Sequence, residues 1–444
     1  MIQATPLIAI VVFTIILIAI GFYYRNKRLP EDFFMAGRKA GIIRIASSIF
    51  TLFGAGEIVT LTAFAYLYGI NGLSLFFGII LGFVGLAFLS KRIKRNSSEY
   101  KPYSLTDYVR NFLGKKSEKM SIVISLIAVL SLLIIQLVVG GLLISTLTGL
   151  SYPISVMIIG IVIAIYLTLG GFNSVLTTDV LQAGSMIILL TFLLVMYNPQ
   201  GSSLSEVISH AQGVVPPVDF IVLLILGFFA VFGGTDVYQR IFASSIKTSL
   251  KKGLIYTGVL WLAFSSLMLL LGLKILSQFP LADPNNAFFD FLGSGLSPYL
   301  LAFLSIFIVA SLFSTADTEL FLSSILIGKL FTRKENLNST FSQITMWLIV
   351  IASIGLAIYF TALVEIYFFL LYMFSILGVV MLANLFGRGN DLLAFLGMLF
   401  SLVVIVVLGI TNLLVGWYPL LILVPPLLTF FVPSKNSAHR PTTE

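Results

Sequence analysis

The sequence predicts an all-α membrane protein with thirteen transmembrane helices. The chain has 444 residues, of which 59% are hydrophobic and only 10% are charged. Soluble domains contain about 45–50% apolar and about 25% charged residues. The apolar residues are also grouped in long uninterrupted stretches, and a helix needs about 20 such residues to cross a bilayer. The composition and this grouping together predict a polytopic membrane protein.

Thirteen stretches are long enough to span the bilayer. They are residues 5–24, 41–69, 71–90, 121–149, 152–169, 177–197, 218–237, 254–278, 297–328, 341–360, 362–387, 391–411 and 414–432. Because thirteen is odd, the two termini are expected on opposite sides of the membrane.

Lysine and arginine predict the orientation, because cytoplasmic loops carry an excess of both. With the N-terminus outside and the C-terminus in the cytoplasm, all 26 of these residues except Lys274 fall on the cytoplasmic side. We therefore expect a multi-pass protein of the plasma membrane. The same loops explain the net charge of +8, so the charge does not indicate a nucleic-acid partner.

The scarcity of reactive side chains argues against an enzyme. The chain has no cysteine, which excludes disulfides, thiolate metal sites and cysteine nucleophiles. Its two histidines, His210 and His439, lie outside the predicted spans. Haem, zinc and histidine proton relays are therefore not expected, and neither is any other bound cofactor.

Two predicted spans are interrupted by glycine. The second span contains Phe53-Gly-Ala-Gly-Glu57, and the seventh contains Phe232-Gly-Gly-Thr-Asp236. Interrupted helices free backbone groups to bind a solute or an ion, and they are typical of secondary transporters. A carboxylate such as that of Glu57 is costly in a membrane, and so it indicates function. It could instead be a neutral acid that holds the break in shape. The candidate solute-binding or coupling residues are Gly54, Gly56, Glu57, Gly233, Gly234 and Thr235.

The layout of the spans predicts a LeuT-like fold. Residues 41–197 hold one group of five spans and residues 218–387 hold another, each opening with a broken helix. Five is odd, so the groups enter the membrane from opposite sides and form an inverted repeat. The remaining parts are the first span with its loop (1–40), two peripheral spans (388–432) and a cytoplasmic tail (433–444).

Three hydroxyls are expected on one face of the ninth span. Ser311, Ser314 and Thr315 have helical i, i+3, i+4 spacing. Hard oxygens at mid-membrane suit a small cation such as Na⁺, although such side chains also commonly bond their own helix. Asp317 and Glu319 follow one turn nearer the cytoplasm. They are expected to be reached by water, either as an ion exit path or as hydrated groups at a helix end.

Two cytoplasmic features complete the pattern. Asp179 lies between the fifth and sixth spans, where it could cap the start of the sixth helix or take part in ion release. The residues alone favour the cap. Residues 106–113 predict a short surface helix with Ser104 or Thr106 as its N-cap.

Four motifs, in order along the chain, resemble those of the sodium:solute symporter family, which includes the proline permease and the sodium/sugar cotransporters. They are Glu31–Arg38 (EDFFMAGR), Gly170-Gly171 through Asp179 and Gln182, Asp236–Arg240 followed by Ala243, and Ser314–Asp317 (STAD). The resemblance covers essentially the whole chain.

The resemblance implies a sodium site between the second and ninth spans. On the ninth span the matching residues are Ser311, Ser314 and Thr315. On the broken second span they are Ala55 and Ile58, which would contribute main-chain carbonyls.

The resemblance also implies roles for three acidic residues, Glu57, Asp179 and Asp317. Glu57 falls where the proline permease has an aspartate important for Na⁺, and Asp179 matches an aspartate of the inner ion pathway. Asp317, in the matching motif of the ninth span, is a further pathway candidate. This chain has Val59 where the proline permease has a serine, and it lacks the sugar-recognition residues, which disfavours a sugar.

These observations lead to the prediction of a Na⁺-coupled symporter that imports a small organic solute by alternating access. An amino acid such as proline ranks first, then a monocarboxylate, then another osmolyte. Two alternatives remain open. One is a proton-coupled symporter of the same fold, and the other is a transporter-like sensor, although no output domain is predicted. The lipid bilayer is the expected surrounding, and the oligomeric state is not predicted.

Overall fold

The computed structural model describes residues 4–24, 30–52, 55–196, 217–245, 249–280, 282–294, 296–332 and 338–433. Gly54, His210, His439 and residues 434–444 lie outside these ranges. In the described residues, all the regular secondary-structure elements are helices. The α-helices are α1 (Ala4–Tyr24), α2 (Pro30–Met35), α3 (Ile42–Phe50), α4 (Ala55–Tyr68), α5 (Leu73–Tyr100), α6 (Leu105–Phe112), α7 (Lys115–Thr148), α8 (Tyr152–Met196), α9 (Pro217–Gly233), α10 (Thr235–Ala243), α11 (Leu250–Gln278), α12 (Ala287–Gly293), α13 (Pro298–Phe331), α14 (Ser339–Tyr359), α15 (Leu363–Leu385), α16 (Asp391–Ile410) and α17 (Val424–Leu427).

The described residues do not confirm the predicted count of thirteen membrane-crossing helices. In the described ranges, nine helices are long and apolar enough to cross a bilayer, or ten if the bent pair α9–α10 is one span. A short helical turn joins α4 to α5, and α8 runs through two predicted spans. The predicted last span consists of short turns over Tyr418–Phe431, where Pro419, Pro425 and Pro426 cannot donate helical hydrogen bonds. The count of thirteen stays a prediction.

A glycine divides α8 where two predicted spans meet. Gly171 has φ +58° and ψ −163°, a conformation that side chains disfavour. A Cβ there would also lie 2.7 Å from Cδ2 of Phe33. The glycine therefore allows both the kink and the close packing of α2 against α8.

Arg38 ties together the predicted cytoplasmic ends of several helices. It donates to the carbonyl oxygens of Phe242 (3.0 Å), Lys101 (2.9 Å) and Pro102 (3.0 Å), and it pairs with Glu31. The hydroxyl of Tyr103 donates to the other oxygen of that carboxylate at 3.0 Å. Burial, together with the nearby carboxylate, raises the pKa of Tyr103 well above its usual value, so the hydroxyl stays a donor.

The predicted short helix is present as α6, but six of its eight residues are buried, so the expectation that it lies on the surface is wrong. Ser104 is its N-cap and forms a capping box with Asp107, whose Oδ2 accepts from the Tyr103 and Ser104 amides at 2.8 and 3.2 Å. Lys329, near the end of α13, binds Oδ1 of Asp107 at 2.7 Å and Oγ of Ser104 at 3.0 Å. The end of α13 is thereby fixed to α6.

The helices around the centre approach each other closely through glycine. A Cβ on Gly378 of α15 would lie 1.8 Å from the carbonyl oxygen of Phe229 on α9. A Cβ on Gly233 of α9 would lie 1.8 Å from the carbonyl oxygen of Phe374 on α15. Backbone atoms cannot move aside as a flexible side chain can, so both positions require glycine.

This packing predicts that Gly378→Ala destabilises the protein, because the added methyl overlaps the backbone of α9. Overpacked cores typically lose about 1–3 kcal/mol, and we expect a thermal melt of the purified protein to report a lower midpoint. Gly355→Ala is the control, because nothing lies within 4 Å of a Cβ there. Equal melting midpoints for Gly378→Ala and Gly355→Ala would show that the backbone of α9 does not require glycine at position 378.

Candidate functional site

The two predicted helix breaks border one cavity, which we call the central cavity. Glu57 lines it from the start of α4, and Gly234 and Asp236 line it from the second break. Much of the remaining lining is apolar or aromatic and includes Trp261 and Tyr367. Residues far apart in sequence thus meet at one cavity.

The first break places Glu57 against α7. Glu57 lies in the first turn of α4 and is only 4% exposed. Gln136 of α7 donates from Nε2 to Oε2 of Glu57 at 3.3 Å, and its Oε1 accepts from the amide of Gly56 at 3.0 Å. A Cβ on Gly56 would lie 2.1 Å from Cγ2 of Ile135. The structure therefore gives Gly56 a packing role and leaves Glu57 at the cavity.

The second break bends the chain by 41° between α9 and α10. Gly234, at the bend, is non-helical and lines the central cavity. Gly233 packs on α15, as described above. Thr235 shares a hydrogen bond of 2.9 Å with Ser125 of α7. Oδ1 of Asp236 accepts from the amide of Val237 at 2.8 Å.

The predicted hydroxyl cluster lies beside the first break. Ser311, Ser314 and Thr315 are all fully buried on α13. Oγ1 of Thr315 lies 3.3 Å from the carbonyl oxygen of Thr51 and 3.4 Å from that of Leu52, where α3 has just ended. The two carbonyls come from the α3 side of the break, which the sequence did not indicate.

The cluster fits a hard cation. In the part of the chain that the structure describes, Oγ of Ser311 has no hydrogen-bond partner, whereas buried hydroxyls are usually paired. Ile58 is buried in the first turn of α4, and its carbonyl oxygen accepts from Thr62 at 3.1 Å. Ala55 is the first residue of that helix. The ligand roles of Ala55 and Ile58 stay predictions.

Asp179 does not cap a helix, and that expectation is wrong. The helical part of α8 resumes directly after Gly171, so Asp179 lies in a helix interior and is fully buried. Its Oδ1 accepts from Ser314 at 2.6 Å, and its Oδ2 accepts from Ser48 of α3. Asp179 therefore links the hydroxyl cluster to α3.

Arg240 is the main functional candidate that sequence reasoning missed. Its position next to a run of cytoplasmic lysines suggested a loop charge, but the side chain is fully buried. Its Nη2 lies 3.7 Å from Oδ2 of Asp179 and donates to Oγ1 of Thr318 at 2.5 Å. Its Nε donates to Oγ of Ser48 at 2.8 Å. The i, i+4 spacing from Asp236 on α10 was a signal that both residues share a face.

Asp317 and Glu319 are not exposed to water, contrary to expectation. Both are fully buried, because α13 continues to Phe331 and packs against α7 and α8. Oδ1 of Asp317 accepts from Thr318 at 3.3 Å. Neither carboxyl oxygen of Glu319 has a hydrogen-bond partner among the described residues. The pathway role of Asp317 stays a prediction.

Comparison with known proteins identifies a family and a fold. The sequence model of the sodium:solute symporter family matches residues 33–401. A structure described as the substrate-bound, outward-open state of a Na⁺-coupled sialic acid symporter is similar, with a TM-score of 0.77 at 16% identity over 97% of this chain and 98% of that one. A nucleobase-cation-symport-1 family transporter, in a closed conformation with bromovinylhydantoin bound, has a TM-score of 0.54 at 16% identity over 89% and 91%. At such identities the likeness shows the fold alone, and it confirms the predicted all-α transporter architecture.

The buried pair predicts a large and non-additive effect on stability. Arg240→Met leaves Asp179 without its cation, and Asp179→Asn leaves Arg240 without its anion. Each is expected to cost about 3–5 kcal/mol, whereas the double variant should cost less than the two together. Thermal melts of the four proteins measure this.

Arg110→Met is the matched control for that cycle. Arg110 pairs with Glu118 at 3.2 Å, but 43% of its side chain is exposed. Glu118 is only 9% exposed, but a pair with one side chain in solvent is less costly to break than a fully buried pair, so this melt should shift less than those of the Arg240 and Asp179 variants. Strictly additive losses at Arg240 and Asp179 would show that the two side chains do not stabilise each other.

Proposed function

The chain belongs to the sodium:solute symporter family, and from this premise we propose that it imports a small organic solute together with Na⁺. Membership makes it a transporter rather than an enzyme. The single observation that carries the proposal is the convergence of both helix breaks on the central cavity, with the hydroxyl cluster of α13 beside the first break.

The proposed ion site uses oxygen atoms alone. Ser311, Ser314 and Thr315 supply hydroxyls, and Ala55 and Ile58 supply carbonyls from the start of α4. Such ligands suit a hard monovalent cation. An ion held there joins α13 to α4, and Glu57 lies in the same first turn as Ile58. Ion binding would therefore order the wall of the central cavity.

This arrangement gives coupling by linkage. If Na⁺ favours the state in which the first break is ordered, and the solute binds that state best, then each raises the affinity of the other by the same factor. Alternating access to the central cavity then moves both across the membrane. We place the protein in the plasma membrane, with Asp179 and Asp317 on the inner ion path.

The solute itself is proposed from the size of the cavity and the chemistry of the breaks. We rank an amino acid such as proline first and a monocarboxylate second. The central cavity is small, which favours a compact molecule. The inverted repeat of residues 41–197 and 218–387 is the proposed frame for the movement.

Proton coupling is a second candidate because of Glu319. A fully buried carboxyl group without hydrogen-bond partners is far less costly when it carries a proton. The charged groups that act on it are Asp236 and Arg240 of α10, Glu57 of α4 and Asp317 of its own helix. Two of these groups, Glu57 and Asp236, line the central cavity, so Glu319 could exchange a proton with that cavity during transport.

The ion site predicts that Ser314→Ala with Thr315→Ala raises the dissociation constant for Na⁺ at least about ten-fold, because two oxygen ligands are removed. Binding of ²²Na⁺ to the purified protein measures this without knowledge of the solute. Each single variant is also tested, since Ser314 additionally binds Asp179.

Ser305→Ala is the control for the ion site. Ser305 is fully buried on the same helix, but its hydroxyl donates to the carbonyl oxygen of Leu301 within that helix at 2.7 Å. We expect its Na⁺ affinity to be unchanged. Normal Na⁺ binding by the double variant would exclude the proposed site.

Na⁺ coupling and proton coupling predict opposite outcomes for the variant Glu319→Gln. In proteoliposomes supplied with a panel of radiolabelled solutes, a Na⁺ gradient at equal pH should drive uptake in both the unmodified protein and the variant. A pH gradient without Na⁺ should drive neither. If a pH gradient alone drives uptake, and Glu319→Gln abolishes it, the coupling ion is the proton.

A further inference from the structure

We infer that the central cavity selects its solute by a positively charged nitrogen held between Glu57 and Asp236, and that it does not recognise a carboxylate. The inference rests on the proposed symport function and makes the solute class more specific. It places an organic ammonium ion above an amino acid, and it removes monocarboxylates from the ranking.

The charges that line the central cavity have one sign. Glu57 and Asp236 approach it from the two breaks, at 4% and 5% exposure. Among the described residues that line it, there is no lysine, arginine or histidine. Two carboxylates so poorly solvated attract a cation strongly, and they repel an anion equally strongly.

The nearest arginine, Arg240, does not line the central cavity. Arg240 directs its donors to Ser48, Thr318 and the main-chain oxygen of Asp236, and its ion pair is with Asp179. The donors of its guanidinium are therefore already used by these protein groups. It is not among the lining residues and is not placed to receive a solute carboxylate.

One backbone amide at each break already has a hydrogen-bond acceptor within the protein. Helix N-termini are the usual binding place for a carboxylate in transporters of this type of architecture. Here the amide of Gly56 donates to Oε1 of Gln136 at 3.0 Å, and the amide of Val237 donates to Oδ1 of Asp236 at 2.8 Å. Protein oxygens thus already occupy one amide donor at each break that a solute carboxylate could otherwise use.

The rest of the cavity suits an ammonium ion with apolar substituents. Phe83, Trp261, Tyr367 and Phe374 border it. Aromatic rings attract organic cations through their quadrupoles and also pack against apolar groups. Carboxylates together with aromatic side chains are the chemistry that recognises an alkylammonium ion.

The test uses probes that share a five-membered ring and differ in charge. They are pyrrolidinium (cation), proline (zwitterion) and cyclopentanecarboxylate (anion), each added to the purified protein in NaCl. From shifts of the melting midpoint with concentration, we expect pyrrolidinium to bind at least ten times more tightly than cyclopentanecarboxylate, with proline between them. Tighter binding of proline or of the anion overturns the inference, as does a failure of pyrrolidinium to bind.

Two isosteric variants connect that preference to the carboxylates. Glu57→Gln and Asp236→Asn keep an oxygen that can accept from Gln136 and Val237, but they remove the charge. Each should weaken pyrrolidinium binding about ten-fold or more, while Glu57→Asp should retain part of it. Glu365→Gln removes an exposed carboxylate elsewhere and should change nothing. Unchanged binding in both isosteric variants would also overturn the inference.

A comparison of NaCl with KCl separates this inference from the symport proposal. If NaCl raises the melting midpoint above that in KCl, and pyrrolidinium binds more tightly in NaCl, both statements hold. If NaCl has its effect but the cation is not preferred, only the solute class is wrong. If NaCl and KCl are equivalent for stability and for solute binding, the Na⁺-coupled function itself fails.

Discussion

The guanidinium of Arg240 carries a full charge in a place from which water is excluded. A buried charge is tolerated only when hydrogen bonds and an opposite charge surround it. Arg240 meets this condition by drawing together Ser48 of α3, Asp179 of α8, Asp236 of its own helix and Thr318 of α13. Four elements must therefore keep their mutual positions for the arginine to stay satisfied.

The positions of the two breaks follow from this requirement and from close packing. Ser48 lies just before the first break, and Arg240 lies on the helix that begins at the second. Glycines at 233 and 378 let α9 approach α15 until the backbones touch, and this fixes the other side of the second break. The central cavity remains between these contacts, with Glu57 and Asp236 at its wall.

Much of this arrangement could be predicted from the sequence because it depends on local patterns. The broken helices are visible as glycines within apolar stretches, and the hydroxyl face of α13 is visible as an i, i+3, i+4 spacing. The capping box of α6 is likewise a local signal.

Burial of charged residues is different, because it depends on which distant helix covers them. Arg240, Asp317 and Glu319 looked like hydrated groups at helix ends, and only the packing of the surrounding helices shows that they are buried. Asp179 resembled a cap because the kink at Gly171 lies two turns earlier than the predicted start of the helix.

The hydroxyl of Thr315 has one hydrogen and two lone pairs, and its hydrogen is directed at the carbonyl oxygens of Thr51 and Leu52. A cation that coordinates the oxygen leaves this hydrogen in place and withdraws electron density from the O–H bond. A polarised hydroxyl is a stronger donor. A cation bound to Thr315 on α13 would thus strengthen the hydrogen bonds from its hydroxyl to the carbonyl oxygens of Thr51 and Leu52, and no backbone atom would have to move. The residue can act as an electronic relay as well as a ligand.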